Sequence, residues 1–101
     1  MDINFEYNDV KASDELESVV IEKLNKLADK YEFLIKADVF FKIENTPTNE
    51  TGKVTEIKLS MPGPYLFAES SKENFQISFA DALEKVRRQA EKKKDKMQAH
   101  Y

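Results

Sequence analysis

Two sets of basic residues recur at helical spacing and raise the first chemical question. Lys23, Lys26 and Lys30 fall at i, i+3 and i+7, and Lys85, Arg88, Lys92 and Lys96 at i, i+3, i+7 and i+11. On a helix each set makes one row, and a row of ammonium and guanidinium groups suits a phosphate backbone held without regard to base sequence. Other chemistry is sparse. The chain has no cysteine and a single histidine, His100, so thiolate nucleophiles, thiolate metal sites, disulfides and histidine-based triads drop out together. Glu15, Glu17, Glu22 and Asp29 are the carboxylates that acid–base or metal chemistry would draw on, but they project from a solvated helix face with no converging partner. Gly52 and Gly63 stand alone among turn residues and prolines, so no glycine-rich phosphate loop follows a strand. The expectation is a protein that is no enzyme, with no cofactor, no metal and no small-molecule substrate.

Six elements position these rows. Ile3, Phe5 and Tyr7 alternate with Asp2, Asn4 and Glu6, the period of a half-buried strand over Asp2 to Tyr7. Ser13 offers an N-cap hydroxyl, Asp14 and Glu15 suit the positive end of a helix dipole, and Leu16, Val20, Leu24, Leu27 and Tyr31 follow at helical spacing. That predicts a helix from about Asp14 to Glu32. Val39, Phe41 and Ile43 make Lys36 to Glu44 a strand, with Phe40 an apolar exception on its other side. Turn chemistry from Asn45 to Gly52 then joins it to a third strand, in which Thr55, Ile57, Leu59 and Met61 alternate with polar residues until Pro62-Gly63-Pro64 stops it. Tyr65 to Ser70 reads as a short fourth strand. Asn74 caps a last helix whose stripe is Phe75, Phe79, Ala82, Leu83, Val86 and Ala90 and which runs to about Lys96.

The order β-α-β-β-β-α predicts an α+β two-layer fold: one four-stranded sheet with both helices packed on one face, the economical burial for two amphipathic stripes and one apolar sheet face. The first two strands, joined through a helix, are expected to be parallel if adjacent. Strand aromatics are usually core, so Phe40, Tyr65 and Phe67 are expected there rather than in an exposed stacking surface. Ile21 and Ile77 fall off their stripes, as scattered exposed residues or as a contact surface.

At 101 residues, 41% of them hydrophobic and 11% aromatic, the chain fits a single domain over 1–101, with a lysine-rich helix end from about Lys92. The opening MDINFEYNDVK has neither the basic nor the apolar region of a secretion signal, and no window nears the ~18 apolar residues of a membrane span. A cytoplasmic protein with no membrane partner is expected, and Asn49-Glu50-Thr51 is a chance glycosylation match. Charge is segregated. Residues 1–73 carry nine Lys or Arg against fifteen Asp or Glu, whereas residues 74–101 carry seven against four. A ligand responds to the local patch within about one Debye length, ~8 Å at physiological salt, so the net charge of −3 does not exclude nucleic acid.

The core stripe of the first helix lies at about 160 to 240° on its wheel, and Lys23, Lys26 and Lys30 lie beside it at about 80 to 140°. Glu15, Glu22 and Asp29 occupy the far side. Lys85, Arg88 and Lys92 likewise flank the apolar stripe of the last helix, whereas Arg87 and Lys94 project to its other flank. With the helices side by side, the two rows can face each other across a shared groove. The competing reading is that such residues merely lay their stems over apolar neighbours, or complement the helix dipole.

The segments VIEKLNKL (20–27), DVFFKIENT (38–46), TEIKLSMPG (55–63) and ALEKVRRQAEKKK (82–94), in this order and spacing, resemble the ribosome hibernation promoting factor family over nearly the whole chain. The resemblance implies a double-stranded-RNA-binding-domain-like fold with an added first strand. It also implies a non-catalytic, stress or stationary-phase bacterial factor that inhibits translation by occupying the tRNA and mRNA channel of the small ribosomal subunit. The residues it assigns to ribosomal RNA are Lys23, Lys26, Lys30, Lys85, Arg88 and Lys92. Asn74 and Phe75 depart from the commoner acidic and aliphatic pair opening the last helix, and the end from Ala90 to Tyr101 is short. The dimerisation domain of the family's long form is expected to be missing. The rival reading is a small protein-interaction module using the acidic face of the first helix.

Overall fold

The computed structural model of the protein describes residues 1–98, and His100 lies outside them. The elements are β1 (Asp2–Asn8), α1 (Asp14–Lys30), β2 (Lys36–Ile43), β3 (Lys53–Ser60), β4 (Leu66–Lys72) and α2 (Phe75–Gln98). They form one mixed sheet in the order β1-β2-β3-β4, in which β1 and β2 are parallel and the two later pairings antiparallel. This is the α+β order read from the sequence.

Local chemistry sets the boundaries. Ser13 Oγ accepts from the Leu16 amide at 3.3 Å, and Asn74 Oδ1 from the Ile77 amide at 2.8 Å, so both expected caps form. α1 stops short of Glu32: the Tyr31 amide still reaches the Leu27 carbonyl, but Tyr31 itself has left the helical conformation. In the β2–β3 connection Gly52 has φ +111°, and a Cβ there would lie 2.8 Å from the Glu44 carbonyl oxygen, so only glycine fits.

Leu16, Val20, Leu24 and Leu27 of α1 and Phe79, Ala82, Val86 and Ala90 of α2 join Ala37, Val39, Phe41, Ile57, Leu59 and Ala68 in one buried cluster. Both helices therefore cover the same sheet face. Thr55 and Ser78, fully buried between β3 and α2, satisfy each other through a 2.7 Å hydroxyl pair. The expectation that Phe40, Tyr65 and Phe67 are core fails for all three. Tyr65 is 59% and Phe67 41% exposed. The parity that buries Ala68 and Ser70 under the helices turns Phe67 to the uncovered face, where Phe40 is half-buried. Ile21 and Ile77 are exposed, as their off-stripe positions indicate.

Tyr7 ties β1 to the start of α1 by donating its hydroxyl to the Glu17 carboxylate. Burial first, then that hydrogen bond and the Glu17 charge, push the phenol up to about 12. Because the folded value lies above that of a free tyrosine, the stabilisation is complete below about pH 10 and is lost as the pH rises through about 12. An alkaline absorbance titration should contain a tyrosine step near pH 12, and Tyr7→Phe should remove one tyrosine's amplitude from it. An undiminished step near pH 12 in Tyr7→Phe would show the assignment to be wrong.

Candidate nucleic-acid interface

The basic rows sit on the helix layer, and the direction of the helices decides how they are arranged. One parallel and two antiparallel pairings make β4 run the same way as β1. Each helix turns back over the sheet from one of these strands, so α1 and α2 run parallel. Their contacts advance together: Leu16 and Val19 meet Gln76 and Phe79 in one groove of about 210 Å³, and Lys26, Leu27 and Lys30 meet Leu83, Glu84 and Arg87 in the next, of about 250 Å³.

That direction overturns the facing rows. Both rows are offset to the same rotational side of their apolar stripes, and between parallel helices such rows point the same way in space. Lys23, Lys26 and Lys30 face the seam between the helices. Lys85 and Lys92 lie on the far flank of α2: Lys85 Nζ donates to the Glu69 carbonyl of β4 at 3.1 Å, and Lys92 lines a shallow depression with Leu66, Gln89, Lys93 and Lys96. Arg88 is on the outer crest, with its side chain 68% exposed. A helix diameter of about 10 Å separates the two sets.

Arg87 takes the place across the seam from the α1 lysines, and Lys94 approaches it further down. Both belong to the flank of α2 that the wheel places opposite Lys85 and Lys92. The missing information was helix direction, which the strand order already implies. At the end of the seam the Lys30 and Lys94 ammonium groups lie 5.5 and 5.7 Å from the centre of the Tyr31 ring.

The cations differ in how freely they can meet a phosphate. Arg87 is held at 2.7 Å by Glu84 and at 3.1 Å by Glu91, and Glu84 also accepts from Arg88 at 3.2 Å. Those bonds, Arg87 foremost, pull the Glu84 carboxyl down to about 2 and raise the Arg87 guanidinium further. Lys85 is paired with Asp81 at 3.3 Å, and the Ser70 hydroxyl, followed by Lys85, keeps Asp81 below the usual carboxylate range. Lys26 has only an exposed i,i+4 partner, Glu22, at 3.2 Å, an arrangement that contributes well under ~1 kcal/mol. Among the described residues, no carboxylate lies within 4.0 Å of the Lys23, Lys30 or Lys92 ammonium groups. The α1 row is thus the cheapest to redirect onto an anion. The floor between the two rims is apolar, made by Leu27 with Ala80 and Leu83.

Residues 3–98 match the family described as sigma 54 modulation protein / S30EA ribosomal protein. No curated protein sequence matches the chain. Among solved structures, a ribosomal subunit interface protein from Coxiella burnetii superposes with a TM-score of 0.81 at 18% identity, covering 94% of this chain and 99% of that one. The N-terminal domain of Protein Y from Thermus thermophilus superposes with a TM-score of 0.76 at 19% identity, covering 91% and 98%. At these identities the two structures establish the shared fold.

Proposed function

The chain belongs to the sigma 54 modulation protein / S30EA ribosomal protein family, and from that premise we propose that it is a ribosome hibernation factor. It binds the small ribosomal subunit in the cytoplasm, occupies the tRNA and mRNA channel, and inhibits translation sterically under stress or in stationary phase. Lys23, Lys26, Lys30, Lys85, Arg88 and Lys92 carry the contacts to ribosomal RNA, joined by Arg87 and Lys94 from the seam. The observation that carries this reading is the coincidence of a family match over residues 3–98 with a helix layer presenting basic rows on an otherwise acidic chain. Phosphate contacts then supply affinity, and the shape of the two-layer domain supplies site choice. No step needs a nucleophile or a metal; the effect scales with the fraction of ribosomes occupied.

Sucrose-gradient fractionation tests it. At low salt the protein should travel with the small subunit and with whole ribosomes, and it should leave them as salt rises, because each phosphate contact releases counterions. Protein remaining at the top of a low-salt gradient that contains intact ribosomes would refute the proposal.

A further inference from the structure

The sheet face that the helices leave uncovered has the opposite chemistry. Register places Glu6, Phe40, Glu56 and Glu69 in one row across all four strands, with Asn4, Asp38, Lys58 and Phe67 in the next. Phe40 therefore has a carboxylate on each side. Glu6, Phe40, Lys42 and Glu56 line a depression of about 410 Å³ on this face. Lys42 is already committed there, at 2.9 Å from Glu56, 3.4 Å from Glu44 and 3.9 Å from Glu69, whereas Glu6 has no cation within 4.0 Å among the described residues. Further along, the face holds an ammonium on an aromatic ring: Lys58 Nζ lies 4.5 Å from the centre of exposed Tyr65.

Such a face repels a phosphate backbone and attracts cations. Among the described residues, no three Asp, Glu, His or Cys side chains converge to hold a metal ion; the carboxylates of this face stand on separate strands, and spaced cationic groups complement them. An extended peptide presents cations on alternate residues, about 6.6 Å apart on one face, so that one arginine or lysine rests on Phe40 between Glu6 and Glu56 while its neighbours reach the flanking carboxylates. We propose that the open sheet face docks a lysine- and arginine-rich segment of a partner protein, on the side opposite the basic helix layer. The inference goes beyond ribosome binding and stands or falls without it, because its test uses the isolated chain.

The test titrates the ¹⁵N-labelled full chain with an arginine–glycine repeat peptide and, separately, with oligouridylate. The peptide should shift amides of Glu6, Phe40, Glu56 and Phe67 and leave Lys23 and Lys30 unmoved. Glu6→Gln with Glu56→Gln should weaken the peptide about tenfold, and Phe40→Leu about threefold to tenfold, each with the dispersed amide spectrum of the native fold. The inference is overturned if the peptide causes no shifts in large excess, or moves Glu15, Glu22 and Asp29 of α1 instead. It is equally overturned if oligouridylate shifts the sheet face, or if the folded variants bind the peptide as well as the parent does.

Discussion

Replacing Lys23, Lys26 and Lys30 together with glutamate should weaken ribosome binding by about a thousandfold at moderate salt while leaving the fold in place. About a hundredfold follows from three lost phosphate contacts, each contributing about 0.7 to 0.9 to the slope of log affinity against log salt, and repulsion by the new carboxylates supplies the rest. All three side chains are exposed on α1, and substitutions at such positions shift stability by only about 0.5 kcal/mol each. The salt slope itself should fall by about 2 to 3, which a merely unfolded variant would not show in a controlled, residue-numbered way. Two pairs on α2 then separate a seam from a diffuse field. Arg87→Glu with Lys94→Glu changes the side facing α1, whereas Lys85→Glu with Lys92→Glu changes the side facing β4. A phosphate strand lying in the seam makes the first pair the more damaging. Equal losses from the two pairs would mean that α2 acts through its overall charge, and no loss from the α1 triple would leave its lysines as a solvated helix flank.

That comparison also marks where the sequence was readable. Alternation along Asp2–Asn8 and Lys36–Ile43, the Ser13 and Asn74 caps, and the stripe from Leu16 to Leu27 each depend on neighbours within a turn or a pleat, and each predicts its element. The basic rows were legible for the same reason. Their mutual arrangement was not, because it depends on whether two helices far apart in sequence run parallel, and only the strand order settles that. On this account the wheel gives Arg87 its correct flank of α2 but does not show that this flank, rather than that of Lys85 and Lys92, faces α1. Phe40, Tyr65 and Phe67 lie outside the core for a different reason. Aromatic content favours burial, but one sheet face has no layer over it, and parity alone chooses which aromatics it receives. Gln89 was invisible to any pattern: its side chain accepts from the Phe67 amide at 3.2 Å and donates to the Phe67 carbonyl at 2.7 Å, closing part of the β4 edge from α2.

Phe41→Ala should lower stability by about 3 to 5 kcal/mol. Phe41 is fully buried in the middle of β2, and its ring is shared by three others: Phe5 at 6.5 Å, Tyr7 at 5.5 Å and Phe75 at 5.4 Å, the last edge-on at 78°. Removing it opens a cavity that β1, β2 and α2 all border, and residues on three elements cannot collapse into it together. Phe5 and Phe75 keep part of their surface in solvent, so truncating either should cost less. A domain of this size has about 5 to 15 kcal/mol in total, so the variant should unfold at a much lower urea midpoint with an unchanged m-value. Phe75 is also the first residue of α2, and without the Phe41 ring beneath it the opening turn of that helix should exchange its amide hydrogens faster than the turn around Val86. Phe41→Leu, which refills most of the volume, should recover most of the stability and restore slow exchange at that turn. A loss below about 1 kcal/mol for Phe41→Ala would show that the aromatic cluster does not anchor α2 to the sheet.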